Sequence, residues 1–200
     1  MRVTVIDYRA GNLTSVVKAL RSLGAEVVVT EDPERVRGAE RIVLPGVGHF
    51  AATRRLEETG IRAAVAEAMT RQVPFLGICV GLQWLFAGST EAPECPGLAA
   101  LSGSCQRFAP GKKVPHVGWN SLSIRPESRL LAGIGDSSFA YFTHAYWVPV
   151  TQDTVAVTEY GEPFSAAVER GSLMGVQFHP EKSGETGLRV LRNFLEFPSC

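Results

Sequence analysis

The segment Phe75-Leu76-Gly77-Ile78-Cys79-Val80-Gly81-Leu82-Gln83 sets a cysteine between two glycines, in the pattern G-x-C-x-G, at the end of an apolar run. Where a buried strand turns sharply into a helix, the backbones come so close that side chains would clash, so glycines belong on either side of the elbow. A thiol at such an elbow is a candidate nucleophile, because the free N–H groups that start the helix stabilise a thiolate and can receive an oxyanion. A lone cysteine in an apolar run is also an ordinary small buried hydrophobe, and the motif by itself leaves both readings open.

A hundred residues further on, from 79 to 179, comes Gly175-Val176-Gln177-Phe178-His179-Pro180-Glu181-Lys182-Ser183. In an extended chain His179 and Glu181 project to the same side, since strand side chains alternate with period two. A carboxylate there holds one imidazole nitrogen and leaves the other to take a proton from a thiol. Pro180 fixes φ and cannot join a central ladder, which places the motif at a strand end. An isolated H-P-E also reads as a strand-terminal histidine beside a solvated acid. The combination with the elbow cysteine carries the chemical reading: Cys79 as nucleophile, His179 as base and Glu181 as its orienting carboxylate.

The elements that must position these groups follow from periodicity. Val3, Val5 and Ile6 form a first strand; Asn12 reads as a helix cap, followed by Leu13, Val16, Val17, Leu20 and Leu23 at helical spacing. Gly24 ends that helix, Glu26 to Thr30 and Arg41 to Leu44 give two more strands, and Ile61, Val65 and Met69 mark the face of another helix. Pro74 to Ile78 opens the buried strand that leads to Cys79. This alternation predicts an α/β fold with an open, mostly parallel sheet covered by helices on both faces. Between Leu98 and Gln177 the short β-like runs and Gly, Pro and Ser punctuation predict an antiparallel extension, and Leu188, Leu191, Phe194 and Leu195 mark a closing helix. Open α/β sheets bind ligands at the carboxyl ends of their strands, where Cys79 is expected.

The chain of 200 residues is 45% hydrophobic and 20% charged, as expected of a soluble globular protein, and no linker divides it, so residues 1–200 read as one domain. Its formal net charge is zero, with none of the excess positive charge on which nucleic-acid binding rests. No stretch has the length of a membrane span, and the N-terminal apolar run, broken by Thr4 and ended by Asp7, is too short for a signal peptide. Cys79, Cys95, Cys105 and Cys200 are widely spaced, without metal-site or disulfide patterning. The expected compartment is the reducing cytoplasm, and no cofactor or metal is called for.

Taken together, these segments make the chain resemble the class I, or triad-type, glutamine amidotransferases, with their flavodoxin-like fold. Within them it is most similar to the glutaminase subunits of imidazole glycerol phosphate synthase. The residues that carry the resemblance are Asn12-Leu13-Thr14-Ser15-Val16, Pro45-Gly46-Val47-Gly48, the elbow from Gly77 to Gln83, Lys113-Val114-Pro115-His116-Val117-Gly118-Trp119-Asn120, Tyr141-Phe142-Thr143-His144 and Gln177 to Ser183. They span nearly the whole chain, and P-H-x-G-W-N and H-P-E-K-S are more specific than the elbow. The resemblance implies that Cys79 attacks the side-chain amide of glutamine, forms a thioester and frees ammonia, with His179 as acid and base. It also implies backbone oxyanion donors at Val47, Gly48 and Val80, and glutamine-binding roles for Gln83 and Glu91. Ala145 departs from the family, which more often has Ser or Thr there, and His49 receives no role. Related glutaminases often have consecutive glycines in the Pro45–Gly48 turn; the stiffer Val47 suggests a hole that stays misformed until a partner remodels it.

Ammonia is mostly ammonium at neutral pH, and ammonium is not a nucleophile, so it must be handed directly to its acceptor. The chain has no phosphate-binding glycine loop of its own. The resemblance implies a separate cyclase subunit, a (β/α)₈ barrel acting on a phosphoribulosyl-formimino aminoimidazole carboxamide nucleotide, in a heterodimer. Trp119, Asn120, Tyr141 and Lys182 are the candidate interface residues, with the aromatic pair suited to bury area yet keep a polar handle. Three other readings stand beside this one: a glutaminase of pyridoxal phosphate synthesis, which lacks the K-V-P-H-x-G-W-N segment, a non-catalytic module on the same fold, and a thiol peptidase or esterase.

Overall fold

A computed structural model describes residues 1–198, so Cys200 lies outside the described residues. Strands β1 (Arg2–Ile6), β2 (Glu26–Thr30), β3 (Ile42–Gly46) and β4 (Phe75–Cys79) alternate with helices α1 (Leu13–Ser22), α2 (Pro33–Arg37), α3 (Arg54–Glu58) and α4 (Ile61–Thr70). After the short α5 (Val80–Gln83) come β5 (Gln106–Arg107), β6 (His116–Ser121), β7 (Ser123–Ile124), β8 (Phe139–His144), β9 (Tyr146–Trp147), β10 (Thr154–Glu159), β11 (Pro163–Arg170) and β12 (Leu173–Val176). Helix α6 (Gly184–Glu196) follows.

Among the described residues the main sheet has eight strands in the order β2-β1-β3-β4-β12-β11-β10-β7. The strands from β2 to β12 pair in parallel; β11, β10 and β7 then add antiparallel neighbours, the extension expected from the short runs of the second half. Right-handed crossovers put α1, which leads leftward from β1 to β2, on the face opposite α2, α3 and α4, which lead rightward. Accordingly α1 meets α6, and α2 and α3 meet α4. Every residue of β4 and β12 is buried, which suits near-continuous apolar strands at the centre of a two-sided sheet.

Three local expectations change. Asn12 does flank α1, but at φ 59 and without a side-chain cap bond; its amide is used elsewhere. Leu188 is 38% exposed, and the buried face of α6 runs through Gly187, Val190, Leu191, Phe194 and Leu195. The cause is Gly187, where a Cβ would come within 1.9 Å of the Pro180 carbonyl oxygen, so the helix packs on this bare backbone and turns Leu188 outward. The segment after β12 stays extended through His179 and then coils into a 3-10 turn over Pro180–Lys182, because proline's fixed φ suits the first position of such a turn.

Candidate active site

Cys79 closes β4 and opens α5 with φ 54 and ψ −107, a left-handed backbone in a residue that carries a side chain. Strain of this kind, about 1–3 kcal/mol, persists only where surroundings enforce it. Here the glycines allow it: a Cβ on Gly81 would stand 1.9 Å from the Leu44 carbonyl oxygen, and one on Gly77 would stand 2.5 Å from that of Gly81. Helix α5 is thus pressed onto β3 by bare backbone, and the thiol is left at the strand's carboxyl end.

Register brings the base to it. β12 lies parallel beside β4 with Val176 opposite Ile78, so the residues just past each strand end meet. His179 is 1% exposed; its Nδ1–H donates to Glu181 Oε1 at 2.9 Å, and the Glu181 side chain is fully buried. The same Oε1 accepts from Asn12 Nδ2, while Glu181 Oε2 and His179 Nε2 have no hydrogen-bond partner among the described residues. Nε2 makes no bond of ordinary geometry, yet the Cys79 sulfur is near enough to act on the ring. Burial pushes the imidazole's pKa down, but Cys79 and then Glu181 overcome it and raise it to about 9. The ring is therefore held as imidazolium at neutral pH. In Cys79→Ala the burial remains and one raising partner goes, so the His179 titration, followed by NMR, moves below its wild-type midpoint; an unmoved midpoint would show that the sulfur does not act on the ring.

A cavity of about 260 Å³ opens over the thiol, lined by Val47, Gly48, Cys79, Val80, Gln83, Glu91, Pro115, Thr143, His144, Ala145 and Tyr146. All the residues expected to bind substrate or oxyanion therefore border one space. Gln83 Nε2 donates to the Tyr146 carbonyl at 3.0 Å and to Gln177 Oε1 at 3.2 Å, which uses both its hydrogens and leaves Oε1 as an acceptor. Glu91 is half-buried, and its Oε2 accepts from the Phe50 N–H at 2.8 Å, so it is no loosely solvated acid. Ala145 offers only a methyl group. The Val47 N–H donates to the Ala10 carbonyl at 3.2 Å, so in this conformation it is not available to an oxyanion.

Other site residues were not singled out by sequence reasoning. Gln177 Nε2 lies 3.6 Å from the Cys79 sulfur, and period two from His179 was the signal that could have found it. Asn12, expected only as a helix cap, holds Glu181 instead, and its place in the Asn12–Val16 segment is the signal that marks it. Tyr8 has a buried hydroxyl without a hydrogen-bond partner among the described residues. A chain of bonds reaches the cavity wall from β6. His144 Nδ1 pairs with the Tyr146 carbonyl at 2.8 Å, so it carries the proton; its Nε2 then accepts from His116 Nδ1 at 3.2 Å, and His116 Nε2 faces Asn120 Nδ2 at 3.4 Å. Burial lowers His144 to about 3 and His116 to about 4, so both rings are neutral.

The β6–β8 ribbon covers this chain and turns its other face outward. Val117, Trp119 and Phe139 are more than half exposed, and Trp119 meets half-buried Tyr141 edge-on at 5.9 Å. Lys182 is exposed beside Glu181. Asn120 differs from its expected neighbours at the interface: its amide also donates to the Glu159 carbonyl at 3.0 Å, which turns it toward the protein. The Tyr141 carbonyl accepts from the His179 N–H at 2.9 Å, tying β8 of the ribbon to His179.

Comparison with known proteins agrees with this geometry. The model of the family described as glutamine amidotransferase class-I matches residues 4–197. A protein of Deinococcus radiodurans named imidazole glycerol phosphate synthase subunit HisH is 47% identical over 197 residues, covering 96% of this chain and 92% of the relative. Its namesake in Methanothermobacter thermautotrophicus is 47% identical over 196 residues, covering 97% and 98%. Among solved structures, a glutamine amidotransferase superposes with TM-score 0.77 at 25% identity over 97% of both chains. PurLQS from Thermotoga maritima shares the fold, with TM-score 0.77 at 20% identity over 98% of both chains. The chain belongs to the class-I glutamine amidotransferases, and within them to the family of the imidazole glycerol phosphate synthase subunit HisH.

Proposed function

We propose that this chain, acting as one catalytic domain, hydrolyses L-glutamine to L-glutamate and ammonia and passes the ammonia to a cyclase subunit in histidine biosynthesis. The observation that carries the reading is the strained Cys79 beside the His179–Glu181 pair under a cavity of about 260 Å³, a volume suited to an amino acid. The Cys79 sulfur attacks the side-chain carbonyl carbon of glutamine. The imidazolium of His179 gives its Nε2 proton to the departing nitrogen, and ammonia leaves behind a γ-glutamyl thioester. Neutral His179 then takes a proton from water, whose hydroxyl attacks the thioester and frees glutamate. Glu181, steadied by Asn12, keeps the Nδ1 proton in place throughout. Glu91 and the free Oε1 of Gln83 are the acceptors for the substrate's α-ammonium group.

The N–H groups of Gly48, Val80 and, once released from Ala10, Val47 receive the oxyanion. Because the Val47 N–H is engaged, full activity needs the Gly46–Val47 peptide to turn over, and docking of the partner drives this. The partner is a (β/α)₈ barrel cyclase that joins ammonia to a phosphoribulosyl-formimino aminoimidazole carboxamide nucleotide. It docks on the exposed Trp119 and the half-buried Tyr141, with Lys182 next to the catalytic carboxylate and Asn120 behind the ribbon. Among the described residues no helix is long and apolar enough to cross a membrane, and Cys79, Cys95 and Cys105 are free thiols, in keeping with a cytoplasmic enzyme. Glutamate release measured with and without the barrel and its nucleotide tests the reading. Release is small for the chain alone and rises when both are added. Val47→Gly, which frees a stiff β-branched position, raises release by the isolated chain on the order of tenfold. Vigorous release by the isolated wild-type chain would refute the gate while leaving the glutaminase standing.

A further inference from the structure

The loop that follows β1 touches both halves of the catalytic apparatus. Asn12 reaches Glu181, Ala10 holds the Val47 N–H, and a Cβ on Gly11 would lie 3.0 Å from Val47 Cγ2. Tyr8 begins this series of contacts. It is 3% exposed, and its hydroxyl has no hydrogen-bond partner among the described residues. The hydroxyl oxygen fills the place a side chain on Gly46 would take, 2.1 Å from an ideal Cβ there, so it rests directly against the Gly46 α-carbon. Burial, and secondarily the charge of Cys79, push the phenol's pKa up, so it remains a donor. A buried donor left unpaired is costly, and a phenylalanine would fill the same space without that cost.

We propose that Tyr8 is a positioning residue for the oxyanion turn, its hydroxyl donating to the Gly46 carbonyl oxygen once the Gly46–Val47 peptide has turned over. The inference rests on the gated turn proposed above. In a planar trans peptide the N–H and the C=O point in opposite directions. With the Val47 N–H aimed at Ala10, the Gly46 carbonyl faces away from the β1–α1 loop. Turning the peptide sends the N–H to the cavity and swings the carbonyl to the loop. There it would meet the Ala10 carbonyl as a second acceptor, unless a donor stands ready. Tyr8 is that donor, idle in the resting conformation and bonded in the turned one.

The test uses the complete two-subunit enzyme with its nucleotide. Tyr8→Phe lowers kcat for glutamate release on the order of tenfold, the share of one hydrogen bond, at an unchanged KM for glutamine. Its thermal midpoint is unchanged or higher, since the resting state loses only an unpaired group. In enzyme carrying tyrosine labelled with ¹³C at Cζ, the Tyr8 signal, assigned by its loss in Tyr8→Phe, shifts when a diazoketone analogue of glutamine alkylates Cys79. Wild-type kcat in Tyr8→Phe, alongside a Val47 amide signal that moves on alkylation, overturns the Tyr8 assignment alone. A Val47 amide signal that stays put refutes the turning itself, and with it both readings.

Discussion

Cys79→Ala loses glutamate release by at least about four orders of magnitude, because nothing else in the cavity can form the thioester and a triad stripped of its nucleophile keeps only residual binding effects. The substitution leaves the fold alone. Alanine inherits the φ of 54 at the same steric cost, and the cavity gains little more than the volume of a sulfur atom. In the heterodimer proposed above, product formation from added ammonium salts persists, since the proposal puts that reaction on the other subunit. Steady-state release from glutamine and from ammonium, measured on the same preparation, checks both halves. A variant that keeps a hundredth of wild-type glutaminase activity would place the nucleophile elsewhere, and equal loss of the ammonium reaction would point to misfolding.

Gly81→Ala destabilises the protein by about 3 kcal/mol, the upper range for overpacking, and lowers the thermal midpoint by roughly 6–12 °C for a chain of this size. The added methyl group meets the Leu44 carbonyl oxygen at 1.9 Å, and that atom belongs to the β3 backbone in the centre of the sheet. It has no room to retreat, so α5 must lift and take the Val80 N–H with it. Gly38→Ala is the control: its methyl would stand 3.7 Å from the nearest atom, the Glu34 carbonyl oxygen, at an ordinary negative φ of −80. Thermal unfolding of the two variants side by side gives the answer, and equal midpoints would refute the tight strand-to-helix contact.

The first half of the fold was legible because each apolar strand is bounded by a glycine or a cap and each longer helix repeats its apolar face. Helix α2 escaped notice because Pro33–Arg37 offers one buried residue, Val36, and so has no period to read. Leu188 misled for a different reason, since a backbone contact at Gly187 decides the helix's rotation and bare backbone leaves no hydrophobic signature. At the site, Cys79, His179 and Glu181 could be named because their chemistry depends on residue type and short spacing. Tyr8 and Asn12 come to the site through contacts between distant segments: Tyr8 lies against Gly46, 169 positions separate Asn12 from Glu181, and no local pattern encodes either. The state of the Val47 N–H is likewise a matter of backbone orientation, invisible in side-chain identity.

The adjacency of β4 and β12 has a consequence for the time at which the enzyme becomes reactive. A chain made from its N-terminus folds as it emerges, and the strand bearing Cys79 is available before the one that leads to His179. The partner strand that brings His179 follows later, with a hundred positions between the two side chains. Until then the thiol lacks both its proton acceptor and the carboxylate that orients it. A chain that has β4 but not yet β12 is therefore chemically quiet, and its nucleophile is armed only when the second strand joins the first.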